Sequence, residues 1–109
     1  MSDPIERLKA SKEELELRKK VSGKKDGREW AEEYAEYEDL TRIEKLDGDE
    51  YNGRARDWDN LVHALDTTDS EAAERLFGDD ADVEDLGEEY IEAFIEGVQE
   101  FFSEVKDKL

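Results

Sequence analysis

The chain has 109 residues, of which 46% are charged, and its formal net charge at pH 7 is -18. It contains no cysteine, which excludes disulfides, cysteine-ligated zinc and a catalytic thiolate. This length suits one modest core, and we expect residues 1–109 to form a single helical domain with a frayed N-terminus and an acidic C-terminal half. The chain begins without an apolar signal stretch, and its longest hydrophobic run is Ala93–Ile95. We therefore expect a cytoplasmic protein without a membrane segment.

The first predicted helix begins at Pro4, whose missing N–H suits a first turn, and runs to about Val21. Gly23 is placed to terminate it, and Asp26 with Glu29 has the spacing of a capping box that starts a second helix. Basic side chains at a helix end interact favourably with the helix dipole. The sequence therefore predicts a basic turn between two helices, which comprises Arg18, Lys19, Lys20, Lys24, Lys25 and Arg28.

The second predicted helix carries two apolar sets on different faces. The first set is Trp30, Tyr34 and Tyr37, and the second is Leu40, Ile43 and Leu46. At about 100° per residue the second set lies nearly opposite the first, and one straight helix cannot bury both. We therefore expect a kink or break around Glu38 and Asp39. The glycine, asparagine and aspartate residues of positions 47–53 predict a loop.

Two short helices are predicted after this loop. The first carries an apolar stripe from Trp58 to Leu65. Thr68 and Glu71 match a capping box that starts the second, and Gly78 is expected to end it. An acidic connector over residues 79–85 follows.

The last predicted helix runs from about Leu86 to Lys108, with an apolar arc wide enough to contact two neighbours. Gly97 lies at the edge of this arc, and close approach of another helix would compensate for its low helix propensity. The sequence therefore predicts an all-α fold, a small bundle of about five helices with a long, central C-terminal helix. The predicted core comprises Trp30, Tyr34, Trp58, Leu61, Leu65, Leu76, Phe77, Phe94, Val98, Phe101 and Val105.

Catalytic and metal-binding patterns are weak in this sequence. A calcium loop that starts at Asp47 would place Tyr51 at ligand position five and Trp58 at the bidentate position. His63 is the single histidine, four residues after Asp59, and we expect it to be a half-buried boundary residue. No glycine-rich phosphate loop is present. We therefore predict no catalytic residue, no metal and no cofactor, and we expect that the protein is not an enzyme.

The charge distribution is the most informative feature. Residues 57–109 carry 3 basic and 18 acidic side chains, and no lysine or arginine lies between Arg75 and Lys106. Five glutamates recur every four residues along the last predicted helix: Glu88, Glu92, Glu96, Glu100 and Glu104. Like charges at this spacing oppose helix formation. Solvent screening, internal docking of the basic turn, or a cationic partner would each offset the repulsion of this acidic row.

Several functions fit this pattern. The main hypothesis is a non-catalytic protein-protein interaction module, an adaptor, inhibitor or regulator that presents the acidic row to a basic protein partner. The alternative is a nucleic-acid mimic that occupies the site of a DNA- or RNA-binding protein, although the row rises about 6 Å per step against about 3.4 Å per DNA phosphate. Salt adaptation would also explain the acidity. We do not expect direct nucleic-acid binding, because the overall field repels phosphate.

Self-association is the remaining expectation. The apolar arc of the last predicted helix ends in Phe101, Phe102, Val105 and Leu109, more surface than short neighbours easily cover. A homodimer with two-fold symmetry is a common way to bury such a surplus.

Overall fold

The computed structural model describes residues 4–78 and 82–109, which fold into α-helices without a strand in those two ranges. The helices are α1 (Pro4–Glu33), α2 (Tyr37–Glu44), α3 (Trp58–Ala64), α4 (Asp69–Phe77), α5 (Val83–Leu86) and α6 (Glu88–Val105), followed by a 3-10 turn (Lys106–Lys108). The all-α bundle with a long C-terminal helix is therefore confirmed. The organisation of residues 1–109 as one domain stays a prediction. Residues 1–3 of the expected frayed end and residues 79–81 of the acidic connector lie outside the described ranges.

The first two predicted helices are one continuous helix, so the prediction of a basic turn was wrong. α1 runs through Gly23 and Gly27 without a break. Asp26 does not cap a helix, and its Oδ2 instead accepts a hydrogen bond from the Tyr90 hydroxyl at 2.5 Å. Both glycines are buried within α1, so Gly23 does not terminate a helix as predicted. The six basic residues are therefore spread around the middle of a helix.

The glycines of α1 are explained by the close approach of α6. A Cβ atom built on Gly23 would lie 2.4 Å from the Tyr90 carbonyl oxygen, and one built on Gly27 would lie 2.1 Å from that of Phe94. A Cβ atom on Gly97 of α6 would lie 2.2 Å from the Lys24 carbonyl oxygen, which bears out the close approach expected there. Residues later in α1 contact residues later in α6: Gly23 lies against Tyr90, and Gly27 lies against Phe94. The two helices therefore run in the same direction.

The predicted break after the Trp30 region exists, a few residues earlier than expected. α1 ends at Glu33 and α2 begins at Tyr37, where the Glu36 N–H donates to Asp39 Oδ2 at 3.1 Å. Asp39 is 5% exposed, and the same carboxylate oxygen accepts from Arg75 of α4. A buried charge is tolerated when it is paired and hydrogen-bonded, so this contact joins α2 to α4.

The two short helices form where the sequence predicts them. The side chain of Asp57 caps α3 by accepting from the Asn60 N–H at 2.9 Å. Thr68 Oγ1 accepts from the Glu71 N–H at 3.3 Å and starts α4, which ends at Gly78 with φ of 99°. The additional one-turn helix α5 begins in the acidic connector and ends at Leu86, which was expected to start the last helix.

The core is formed around α6, which packs against α1, α2 and α3. Six residues of the predicted core are buried: Trp30, Leu61, Leu65, Leu76, Phe94 and Val98. Three more, Trp58, Phe77 and Phe101, are partly buried against it. The core also buries apolar residues that the prediction left out: Leu40, Ile43, Leu46, Ile91, Ile95 and Phe102.

Three predicted positions differ from the structure. Tyr34 is 71% exposed and lies one residue beyond the end of α1. Val105 is only partly buried at the end of α6. His63 is exposed rather than half-buried, because the buried face of α3 is formed by its neighbours Leu61 and Val62.

Residues 4–22 of α1 are largely exposed to solvent, and we call this segment the arm. Thirty residues of helix span about 45 Å, which accounts for most of the 57 Å long axis of the molecule. No residue of α1 before Gly23 is buried, and Leu8, Leu15, Leu17 and Val21 are each more than half exposed.

Candidate protein-binding site

Two of the predicted basic residues lie against the acidic row. The glycine contacts bring the backbones of α1 and α6 together, so that Lys24 and Arg28 lie opposite the C-terminal half of α6. Lys24 Nζ lies 2.8 Å from Glu100 Oε1, and Arg28 donates to Glu104. These contacts correspond to the internal docking that would offset the repulsion within the row.

The electrostatic effect of these pairs is visible in their pKa values. The hydrogen bond to Glu100, together with its negative charge, raises the pKa of Lys24 above its ordinary value. The hydrogen bond to Glu104 likewise raises the pKa of Arg28, and the same bond lowers the pKa of Glu104. Each partner thus favours the charged form of the other.

The other basic residues of α1 have different environments. Arg18 Nη2 lies 2.6 Å from Glu14 Oε1 in a pair within the helix. A Cβ atom on Gly87 would lie 3.1 Å from Lys19 Nζ, so Lys19 reaches the start of α6. Lys20 lines a crevice with Lys24 and three glutamates of α6, whereas Lys25 is exposed. The structure therefore divides the predicted cluster among several sites.

The two N-terminal glutamates of the acidic row lie at a cleft. Glu88, Glu92 and Trp58 line a space of about 390 Å³, which we call the Trp58 cleft. Its other lining residues come from the loop before α3, from α3 and from α6: Gly48, Glu50, Ala55, Arg56, Asp57, Asp59 and Ile91. Five carboxylates and one guanidinium thus line this cleft.

The single cation of the Trp58 cleft is engaged elsewhere. Arg56 Nε donates to Gln99 Oε1 at 2.9 Å, and its Nη1 lies 4.0 Å from Glu96 Oε1. The amide of Gln99 is held in turn, because its Nε2 donates to the Ile43 carbonyl at 3.0 Å at the end of α2. Among the described residues, no basic side chain pairs with Glu88 or Glu92. The cleft therefore keeps a surplus of negative charge.

The acidic loop between α2 and α3 uses its carboxylates internally. Asp49 Oδ1 accepts from the Tyr51 N–H at 3.0 Å and the Asn52 N–H at 3.3 Å. Asp47 Oδ1 accepts from the Asp49 N–H at 3.0 Å, and this bond, with the charge of Arg54, lowers the pKa of Asp47. In residues 4–78 and 82–109, no group of three histidine, cysteine or acidic side chains has the arrangement of a metal site.

The sequence indicated only part of this site. It identified Glu88 and Glu92 by their four-residue spacing, but the loop residues that line the same cleft are about thirty to forty positions earlier. The local signal was the acidic density around the second tryptophan, where Asp57 and Asp59 flank Trp58.

Comparison with protein-family models, curated proteins and solved structures finds no match for this chain. Within the part of the chain that the structure describes, no helix combines the length and apolar composition needed to cross a bilayer. The functional assignment therefore depends on the geometry and charge of the chain itself.

Proposed function

We propose that this protein is a non-catalytic protein-protein interaction module that binds a basic partner through the Trp58 cleft. The supporting observation is the convergence of five carboxylates on one cleft whose single guanidinium is held by Gln99. As an adaptor, inhibitor or regulator, such a module needs no reactive group of its own. In this proposed function, Glu88 and Glu92 of the acidic row contact the partner.

The chemistry of the Trp58 cleft suits a lysine or arginine side chain. Carboxylates attract the cation, and the face of a tryptophan ring adds about 0.5–1 kcal/mol of cation–π attraction at an exposed site. The partly buried indole also offers apolar surface to the aliphatic stem of such a side chain. Charge complementarity of this kind accelerates association and excludes acidic competitors.

The remaining glutamates of the predicted row are less suited to a partner. Glu96, Glu100 and Glu104 already have Arg56, Lys24 and Arg28 within ion-pair distance. A partner would have to replace these contacts before it gained its own. Binding through the whole row from Glu88 to Glu104 remains a prediction that the internal pairs do not favour.

The nucleic-acid mimic remains the alternative. A mimic needs unpaired carboxylates at the spacing of phosphates, and three of the five carboxylates in the row have internal partners. Competition decides between the two functions, because a mimic must be displaced from its partner by duplex DNA or RNA. Capture that is insensitive to both nucleic acids supports the plain interaction module.

A titration with a flexible peptide of alternating glycine and lysine tests the proposed function. Replacement of Glu88 and Glu92 by glutamine should weaken binding by about twofold to fivefold per lost charge contact at low salt. The matched control replaces Glu100 and Glu104 by glutamine, which removes the same charge from residues that have internal partners. Binding should also weaken with added salt. Equal loss in both double variants would contradict the assignment to the Trp58 cleft.

A further inference from the structure

A second cleft lies between α1, the end of α4 and the start of α6. It encloses about 500 Å³ and shares no lining residue with the Trp58 cleft. Trp30 forms part of its wall, so we call it the Trp30 cleft. Its lining includes the aromatic residues Phe77, Tyr90 and Phe94 and the glutamates Glu29, Glu33 and Glu74.

Trp30 carries a buried hydrogen-bond donor without an acceptor. The residue is 4% exposed, and its indole Nε1–H has no partner within residues 4–78 and 82–109. Most buried polar groups in proteins are hydrogen-bonded, and an unsatisfied donor costs about 1–3 kcal/mol. The tryptophan N–H only donates, so any group that pairs with it must be an acceptor such as a carbonyl oxygen.

The wall of the Trp30 cleft is aromatic. The ring centroid of Phe94 lies 6.0 Å from that of Trp30 and 5.0 Å from that of Phe77. Tyr90 continues this cluster at 5.9 Å from Phe77. Such a wall favours an aliphatic or planar group over water.

The rim of the Trp30 cleft is acidic. Asp26 is occupied by the Tyr90 hydroxyl, and Arg75 is occupied by Asp39. The other three carboxylates, those of Glu29, Glu33 and Glu74, form no ion pair with any basic side chain of the described chain. A ligand that enters this cleft therefore meets uncompensated negative charge at its edge.

We infer that the Trp30 cleft receives a lysine- or arginine-bearing segment of the partner. A backbone carbonyl of that segment accepts from Trp30 Nε1–H, the aliphatic stem packs on the aromatic wall, and the cation lies beside Glu29, Glu33 and Glu74. A single basic segment thus supplies an acceptor for the Trp30 N–H, apolar surface for the aromatic wall and a cation for the acidic rim. This assignment rests on the proposed function, because it supplies a second contact for the same basic partner.

Entry of the carbonyl requires a local opening of the cleft. Trp30 Nε1 lies below the surface, so neighbouring side chains must rotate before an acceptor reaches it. Exposed side chains change rotamer within picoseconds to nanoseconds, and Tyr34 on the cleft wall is 71% exposed. Binding should therefore change the Trp30 indole signal as the cleft opens and the hydrogen bond forms.

Nuclear magnetic resonance of the full chain tests this inference directly. The protein has two tryptophans, so its ¹H–¹⁵N spectrum contains two indole signals, which a Trp58→Phe variant assigns. A flexible peptide of alternating glycine and lysine should move the Trp30 indole proton downfield in a saturable manner. The same peptide with acetylated lysines, which lack the positive charge, should bind more weakly.

Matched variants separate the Trp30 cleft from nonspecific attraction. The double variant Glu29→Gln and Glu33→Gln should weaken the Trp30 response by about twofold to fivefold per charge contact. The Glu32→Gln control removes a neighbouring charge that Arg28 already pairs at 3.2 Å, and it should leave the response unchanged. A response that moves only the Trp58 signal overturns this inference and leaves the proposed function standing. A peptide that moves neither signal and binds nowhere overturns both.

Discussion

At the residue scale, glycine is needed for different reasons at different positions. Gly78 and Gly87 have positive φ values, as expected for residues at helix ends. Gly27 has an ordinary helical conformation and is needed because the backbone of Phe94 occupies the space beside it. The amino-acid type alone does not distinguish these cases.

We predict that Gly27→Ala destabilises the protein. Alanine improves intrinsic helix propensity by about 1 kcal/mol, but overpacking against a backbone carbonyl costs about 1–3 kcal/mol. The predicted net result is a loss of up to about 2 kcal/mol in the free energy of unfolding, measured by chemical denaturation. Ser22→Ala, an exposed substitution in the same helix, serves as the control and should be neutral or slightly stabilising. A stabilised Gly27→Ala variant would contradict the close approach of α1 and α6.

Phe94 should be among the most important single residues for stability. It is 1% exposed and contacts the rings of Trp30, Phe77 and Tyr90. Truncation of Phe94 to alanine should cost about 3–5 kcal/mol, much of the stability of a small domain. The exposed Leu17 provides the comparison, because its replacement by alanine should change the free energy of unfolding by about 0.5 kcal/mol or less. Similar effects at both positions would argue against a core around α6.

At the element scale, α1 and α6 are joined by both close packing and charge. Gly23, Gly27 and Gly97 allow the backbones to approach, and the approach brings Lys24 and Arg28 next to glutamates of α6. The acidic row is thus tolerated partly because its C-terminal half faces a basic strip of the neighbouring helix.

Charge reversal distinguishes the two adjacent lysines of α1. Lys24→Glu should lower the thermal midpoint, because it replaces the pair with Glu100 by a repulsive contact. Lys25→Glu adds the same charge to an exposed position without an ion pair in the described chain, and it should have a smaller effect. The difference should shrink with added salt, which screens exposed pairs. Equal midpoints for both variants would show that the interhelical pair does not contribute.

The Tyr90 contact between α6 and α1 predicts a dependence on alkaline pH. Burial, assisted by the hydrogen bond to Asp26, raises the pKa of Tyr90 above its ordinary value of 10.0. The stabilisation linked to this shift is complete below pH 10.0 and declines as the pH rises above it, because only the unfolded chain then loses the proton readily. Tyr90→Phe removes this titration, so denaturation should show wild type losing more stability than the variant above pH 10.0. Parallel pH profiles would contradict this assignment.

At the scale of the whole molecule, the arm and the helical body differ in charge. Residues 4–22 carry 6 basic and 4 acidic side chains, whereas the complete chain has a net charge of -18. The arm also exposes Leu8 and Leu15. By contrast, Phe102 is buried near the end of α6, where we expected a homodimer contact, and the exposed Leu109 lies beyond the 3-10 turn. Self-association stays a prediction, with less free apolar surface on α6 than the sequence indicated.

The net charge predicts the response of the whole fold to salt. With 34 acidic and 16 basic side chains, repulsion is stronger in the compact state than in the expanded chain. Moderate salt shortens the Debye length to about 8–10 Å and should raise the thermal midpoint, although it weakens the exposed ion pairs. Scanning calorimetry at several salt concentrations measures this effect. A midpoint that falls with salt would mean that the ion pairs outweigh the general repulsion.

The sequence by itself determined the elements whose signals are local. Periodic apolar residues and side-chain caps placed α3 and α4, and the switch of apolar face after Trp30 required a break near the start of α2. The all-α class and the long last helix follow from the same periodicity. These features depend on contacts between residues within a few positions of each other, so they can be predicted from the sequence alone.

The tertiary structure decided every feature that depends on distant neighbours. Gly23 indicated a helix end because glycine commonly ends helices, but the approach of α6 buries it within α1. The same approach divides the acidic row into glutamates paired with α1 and glutamates that face the Trp58 cleft. Spacing along one helix fixes the angle of a side chain around its own axis. Only the packing of a second helix determines whether that side chain meets a cation, a backbone or solvent.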